Sequence, residues 1–365
     1  MAAAVYLVIL ICAIASPRSK VISALAIVFM FVMYSFVYYE GDLQNYQWIY
    51  EEGITDTSFE PGFNAIIFLC RALGMSFTGF RMILAAVFLF LMYRGITKYT
   101  DYSAIVLSLI IIFPFFVFTS VMRSGIACAI LLNAYIYLID PSFCRKGITK
   151  YVLFVLVAAL FHYSAALMLV FIVGKMRIDP KAIVGIAVLT IVMFAFLNFT
   201  DIPYRLIALL TSREKTLQWL SRGEGTANFT GAVAIIVLLT MNYYIARRSR
   251  DILESIKTEG ISNMEYYESK YTYNISVLLL GFIPLMCLAS PYLRVAYMLV
   301  PLFVSNGINA VYGYKNNVQN STFIPLLSAM IFGSLIIWRI HYDLPYITEN
   351  HFFFQEMIET LFVIY

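Results

Sequence analysis

Between Ile105 and Ile139 the chain reads IVLSLIIIFPFFVFTSVMRSGIACAILLNAYIYLI, two membrane-length apolar runs whose only charge is Arg123. No other feature restricts the fold as tightly. A guanidinium keeps its proton at any ordinary pH and is expensive to place in hydrocarbon. Its head must therefore reach water, an interface or an anion. Arg123 either marks the turn between two spans, snorkelling to the surface, or projects into a polar cavity.

The rest of the chain is built of the same material. Hydrophobic residues make up 62% of the 365, charged residues 13%, and mean hydropathy is +0.83. This describes a single integral membrane domain over residues 1–365, an all-α polytopic protein of about 11–12 transmembrane helices. It excludes soluble enzymes and nucleic-acid binders. Cys12, Cys70, Cys128, Cys144 and Cys287 are scattered through apolar segments without a CxxC pair, so they read as free core thiols and not as a disulfide framework or zinc site. The first apolar run has no basic segment before it and reads as a span, not a cleaved signal.

Basic residues mark the cytoplasmic side of a membrane. Arg18 and Lys20 follow a short first span at 2–16, and a second runs over 21–39. The acidic loop 40–62 that follows contains no Lys or Arg and is placed outside. Residues 63–77 are short and carry Arg71, which suits an interfacial or re-entrant helix on the outer side. Spans at 80–98, 103–121 and 124–140 then alternate, which brings Arg123 near the outer face. A single span over 151–174 would put two basic clusters outside, so this stretch reads as a hairpin broken at FHYS. Irregular backbone at that depth is tolerated only where protein or a wet cavity surrounds it. Spans at 182–199, 229–246, 273–290, 292–312 and 322–339 complete the bundle, with an outer arginine-containing loop at 200–228 and a cytoplasmic loop at 247–271. The tail from Phe352 is amphipathic and suits the membrane surface.

This orientation leaves Arg81, Arg123, Arg205, Arg213, Lys215, Arg222, Arg294 and Arg339 on the outer side, against the charge rule. Arginine's planar fork binds phosphate bidentately, and an outer cavity lined by such groups suits a lipid-linked diphosphate. Arg205, Arg213 and Arg222 equally suit a solvated loop; Arg123 and Arg294, flanked by apolar runs, are harder to explain that way. Tyr46 and Trp48 in the acidic loop are either interface-belt aromatics or a sugar platform. Asp42, Glu60 and His162 are the candidate general bases, the carboxylates equally serving as partners for outer arginines and His162 as a satisfied core histidine. There is no Walker A sequence, no metal-ligand spacing and no GxSxG elbow, so neither ATP, metal nor serine chemistry is expected and no cofactor is implied.

GDLQNYQWIY followed by FEPGFNAIIF, then SVMRSGIACAI, AALFHYSAAL and SPYLRVAYM, together resemble the EpsG-like branch of Wzy-type polysaccharide polymerases. The motifs are short, and their order along much of the chain carries the resemblance. Ser124-Gly125 follows Arg123 where that branch would have a glutamine. The resemblance implies a GT-C-like membrane glycosyltransferase of the bacterial inner membrane. Such enzymes join undecaprenyl-diphosphate-linked oligosaccharide repeat units into O-antigen, capsule or exopolysaccharide at the periplasmic face. They draw both substrates from membrane lipid and work beside a flippase and a chain-length regulator. By the same resemblance, Asp42 and Glu60 lie in the acidic first loop, Arg123 in the RxxxA element, His162 in the FHxS element and Arg294 in the late arginine-tyrosine element. Cations that stabilise the departing diphosphate are what this chemistry needs most. A transporter or flippase for the same lipid, or an O-antigen-ligase-like transferase, would share most of these features. Arg123→Ala or Arg294→Ala is expected to abolish polymer while the protein stays folded.

Overall fold

The computed structural model describes residues 2–36, 42–53, 59–175, 263–281 and 293–312, with Gly185, Leu189 and Val192 as isolated positions. Among the described residues the chain is helical and contains no strand. Three of these helices are long and apolar enough to cross a membrane: Phe77–Ile96, Ser103–Ser120 and Met122–Ile139. They coincide with the expected spans 80–98, 103–121 and 124–140 to within a few residues. The spans expected at 182–199, 229–246 and 322–339, the loop 200–228 and the tail lie outside the described residues.

The two central helices form the core of the bundle. In Ser103–Ser120, α6 (Ser103–Ile110) is followed by a kink over Ile111–Phe115 and then α7 (Phe116–Ser120). The kink has a local cause: Pro114 supplies no N–H to the helical ladder, and Phe113 is extended at φ −163° and ψ 131°. At Val121 the backbone leaves the helix again (φ −106°, ψ 62°), and α8 (Met122–Ala134) starts back in the other direction. The turn expected around Arg123 is therefore present. Around this hairpin pack α1 (Ala2–Ala15), α2 (Lys20–Phe36), α5 (Phe77–Ile96), α10 (Cys144–Ala159) and α13 (Val300–Tyr312). Their outward faces show Val8, Ile11, Val28, Phe90 and Leu153, the apolar exterior a bilayer requires.

The acidic segment differs from expectation. Asp42–Glu52 is a helix, α3, and not a loop. Leu43, Tyr46, Ile49 and Tyr50 recur at helical spacing and are buried, while Gln44, Asn45, Glu51 and Glu52 face out. The Tyr50 hydroxyl donates to the Met75 carbonyl at 2.7 Å, tying α3 to the turn between α4 (Pro61–Ala72) and α5. That turn is made by Gly74, whose φ of +68° stops α4, and by Ser76, whose hydroxyl caps α5 through the Gly79 N–H. A second difference lies in the C-terminal half. α11 (Asn263–Leu280) begins well inside the segment read as a cytoplasmic loop, and the span 292–312 is interrupted at Met298-Leu299 between α12 (Leu293–Tyr297) and α13.

Beyond α10 the chain turns at Leu160–His162 and continues as a 3-10 helix over Tyr163–Lys175. This helix packs back on α10, where the Tyr151 hydroxyl donates to the Met168 carbonyl at 2.8 Å.

Candidate functional site

The site is built where α4 begins. Pro61 occupies the first helical position, where its missing N–H is no loss, and Glu60 precedes it in extended conformation (φ −66°, ψ 145°). A carboxylate there ordinarily accepts from its own helix, but Glu60 makes no such bond. It turns away instead and accepts three others. Oε2 takes Nη1 of Arg123 at 2.6 Å. Oε1 takes the Tyr163 backbone N–H at 3.0 Å and Nδ1 of His162 at 3.2 Å. Glu60 is only 2% exposed, so the charge is buried and fully engaged.

The start of α4 is also fastened to the turn after α10. The Gly62 N–H donates to the Leu160 carbonyl at 2.8 Å. A Cβ on Gly62 would stand 2.8 Å from that carbonyl oxygen and 3.0 Å from the Leu160 Cβ, so only glycine allows the approach. Gly62→Ala is expected to push the two segments apart and to destabilise by about 1–3 kcal/mol, read by unfolding in detergent. An unchanged midpoint would mean that the segments separate without strain.

Arg123 is the second residue of α8, immediately after the break at Val121. Nε donates to the Tyr46 hydroxyl at 3.1 Å, and the guanidinium lies 4.5 Å from the Phe59 ring centre. Its side chain remains 17% exposed, and Nη2 has no partner among the described residues. The arginine is thus oriented by a carboxylate, a phenol and an aromatic face, with one corner of the fork left over.

His162 completes the group. An ionised carboxylate can only accept, so Nδ1 carries the hydrogen and a neutral ring presents a lone pair at Nε2. Nε2 is buried without a partner among the described residues. Burial alone would raise the Glu60 pKa. The His162 N–H, the Arg123 charge and the Tyr163 N–H outweigh it and hold the carboxyl down at about 2. Glu60 is therefore a poor proton acceptor at neutral pH. Its place is to orient His162 and Arg123.

Other expected site residues fall elsewhere. Tyr46 is buried, its ring packed on Phe59 and Phe63 and its hydroxyl on Arg123. Trp48, two residues on, is 54% exposed on the outer side of α3 and does not share that position. Arg81 is 3% exposed inside α5, and its guanidinium donates to the Tyr34 carbonyl in the last turn of α2, where helical carbonyls lack partners of their own. Arg294 lies half-buried in α12, which packs against the 3-10 helix, and its charge acts on the His162 ring. Asp42 is the first residue of α3. Arg205 and Arg213 lie outside the described residues. Gly62 and the Tyr163 amide were missed by sequence reasoning. Gly62 lies two residues after Glu60, and the composition of FEPGF was the available signal. No group of three or more metal-ligating side chains occurs among the described residues.

The model of the EpsG family matches residues 20–348, nearly the whole chain. No curated protein and no solved structure matches it.

Proposed function

Since the chain belongs to the EpsG family, we propose that it is a membrane glycosyltransferase that polymerises oligosaccharide repeat units carried on undecaprenyl diphosphate. The observation that carries this reading is the attachment of one buried carboxylate, Glu60, to both Arg123 and His162. That arrangement pairs a cation for a departing phosphate with a base for an attacking hydroxyl.

In the proposed reaction the hydroxyl oxygen of the incoming unit attacks the anomeric carbon of the growing chain. His162 Nε2 takes the hydroxyl proton as the new carbon–oxygen bond forms. The bond from the anomeric carbon to the phosphate oxygen breaks, and the lipid diphosphate leaves with the electron pair. Arg123, through its remaining Nη2, and Arg294 face the charge that develops on it. Glu60 fixes the tautomer of His162 and the orientation of Arg123. The proton on His162 then returns to water. A diphosphate is already a good leaving group, so a strong general acid is not required.

The membrane placement has its own support. Arg18, Lys20, Arg94, Lys98, Arg145 and Lys150 lie toward the helix ends opposite to Glu60, Arg123 and His162, which under the charge rule supports the proposal of a site on the outer, periplasmic side of a bacterial inner membrane. α10, with 16 residues, is about 24 Å long. The 3-10 helix, with 13, is about 26 Å because of its steeper rise. Two arms of that length suit a hairpin dipping through most of a hydrocarbon layer about 30 Å thick, in a GT-C-like bundle that lipid substrates enter from the side. A flippase and a chain-length regulator are the partners this reaction would use.

The test is reconstitution of purified protein with undecaprenyl-diphosphate repeat units, resolved on a gel. A ladder at multiples of the repeat is expected, and His162→Gln should weaken it by about 10²–10⁴-fold while the unfolding midpoint stays near that of the parent. A single unchanged band from folded parent protein would instead favour transport of the same lipid, measured by flipping in the same liposomes.

A further inference from the structure

The opposite end of the central hairpin holds a wide-open cavity, with Arg18 exposed at its wall. It has a volume of about 510 Å³ and is lined by Ser16, Pro17, Arg18, Ser19, Tyr102 and Tyr312. The 18 residues of the kinked stretch Ser103–Ser120 run between it and the Arg123 site. Three segments meet there: the turn between α1 and α2, the start of α6 and the end of α13. The Ala104 N–H donates to the Pro17 carbonyl at 3.2 Å and pins the first to the second. Tyr102 joins all three. Its hydroxyl accepts from Arg18 Nη2 at 2.8 Å and donates to the Tyr312 carbonyl at 2.8 Å. Its ring lies 4.5 Å from the Arg18 guanidinium and 5.4 Å from the Tyr312 ring.

Arg18 is thus held in place by uncharged groups alone. Among the described residues no carboxylate pairs with it, nor with Lys20 at the start of α2. A guanidinium fixed at the wall of a cavity, with most of its fork unused and a second cation close by in sequence, attracts an anion, and its geometry suits phosphate. The apolar surroundings narrow the choice. Ile14, Val21 and Leu25 on the adjoining turns of α1 and α2 are exposed, a surface on which acyl chains would lie beside the charged group.

We propose that this cavity binds the phosphodiester head group of an anionic phospholipid. Arg18 contacts the phosphate, Tyr102 and Tyr312 flank the glycerol, and Val21 and Leu25 meet the chains. Basic pockets between membrane helices are the usual form of such sites. The inference rests on the membrane reading of the chain and is independent of the polymerase chemistry.

The experiment uses the full chain in detergent, with bound lipid counted by native mass spectrometry and stability followed by thermal unfolding. Phosphatidylglycerol is expected to be retained in preference to phosphatidylcholine and to raise the midpoint. Arg18→Ala should reduce that retention about tenfold or more, and Tyr102→Phe, which keeps the ring but frees Arg18, should reduce it less. Equal retention by the parent and Arg18→Ala chains overturns the site. An equal rise with glycerol 3-phosphate alone overturns the lipid assignment in favour of a soluble anion. His162→Gln should retain lipid as the parent does, so a failure here and a failure of the polymerase reading are told apart.

Discussion

Glutamine at position 60 is expected to remove polymer formation and to lower stability by about 3–5 kcal/mol, the range for a buried charge that loses its partner. The shape of the side chain is kept, so both effects follow from charge and proton placement. Glu60 accepts from Arg123, His162 and the Tyr163 amide at once. An amide has only one acceptor oxygen, so at least one of these donors meets an NH₂ group. If that donor is His162, the ring reverses its tautomer and Nε2 carries the hydrogen, which removes the base. Loss of a tautomer-fixing carboxylate lowers turnover by about 10⁴-fold in the serine-protease triad, the nearest general precedent. The pH dependence carries the same signature. Glu60 titrates near 2 in the folded protein against an ordinary 4.5. The folded state therefore holds this proton less tightly than the unfolded state. The stabilisation is complete above about pH 4.5 and is lost as the pH falls through the folded value near 2. Glu60→Gln should flatten the acid limb of an unfolding profile measured in detergent. A variant that matches the parent in midpoint, acid limb and ladder would remove Glu60 from the site.

Arg123→Ala is the second large effect, and here the structure changes the expectation drawn from sequence. Taking away the arginine is expected to leave Glu60, 2% exposed, without its cation, so a loss of stability should accompany the loss of polymer. Polymer and stability should fall together, the latter again by about 3–5 kcal/mol. Arg294→Ala, outside that ion pair, is the cleaner probe. It should weaken polymerisation by about 10²–10³-fold, the scale of losing one charge-stabilising donor, with the fold kept. A double-mutant cycle separates the two roles of Arg123. Combining Arg123→Ala with Glu60→Gln should restore part of the stability but none of the polymer. If the two losses simply add, Arg123 and Glu60 do not act as a pair.

The residues legible from sequence were those whose chemistry conflicts with their surroundings. Arg123 between two apolar runs, Glu60 in a loop free of cations and His162 at an apparent break each stood out as a local anomaly. Pairing of a carboxylate with an outer arginine was an open alternative, but which residues join was not legible, because it depends on contacts between segments far apart in the chain. Arg81 was legible as a cation in an apolar run, but its use was not. The need it meets is a bare carbonyl at the end of α2, a property of where another helix stops. Tyr46 was assigned from residue type, and the helical period of Leu43, Tyr46 and Tyr50 that turns it inward was masked by the acids around it. The Arg18 cavity was invisible for a further reason: Arg18 served as a topological marker, and nothing nearby in sequence reveals that Tyr102 contacts it and Tyr312 lines the same cavity.

The bond from Glu60 to the Tyr163 amide spans 103 residues of chain. At ribosomal rates of about 5–20 residues per second, roughly 5–20 s pass between synthesis of the carboxylate and of its last donor. Arg123 is made 63 residues after Glu60, and the His162 turn only at the end of the interval. The carboxylate lacks its full set of donors until then, and burying it without them is costly. The start of α4 is therefore expected to stay hydrated until α8 and the turn after α10 have been made. The contact thus ties completion of the Glu60 site to synthesis of the turn after α10, long after the carboxylate itself is made.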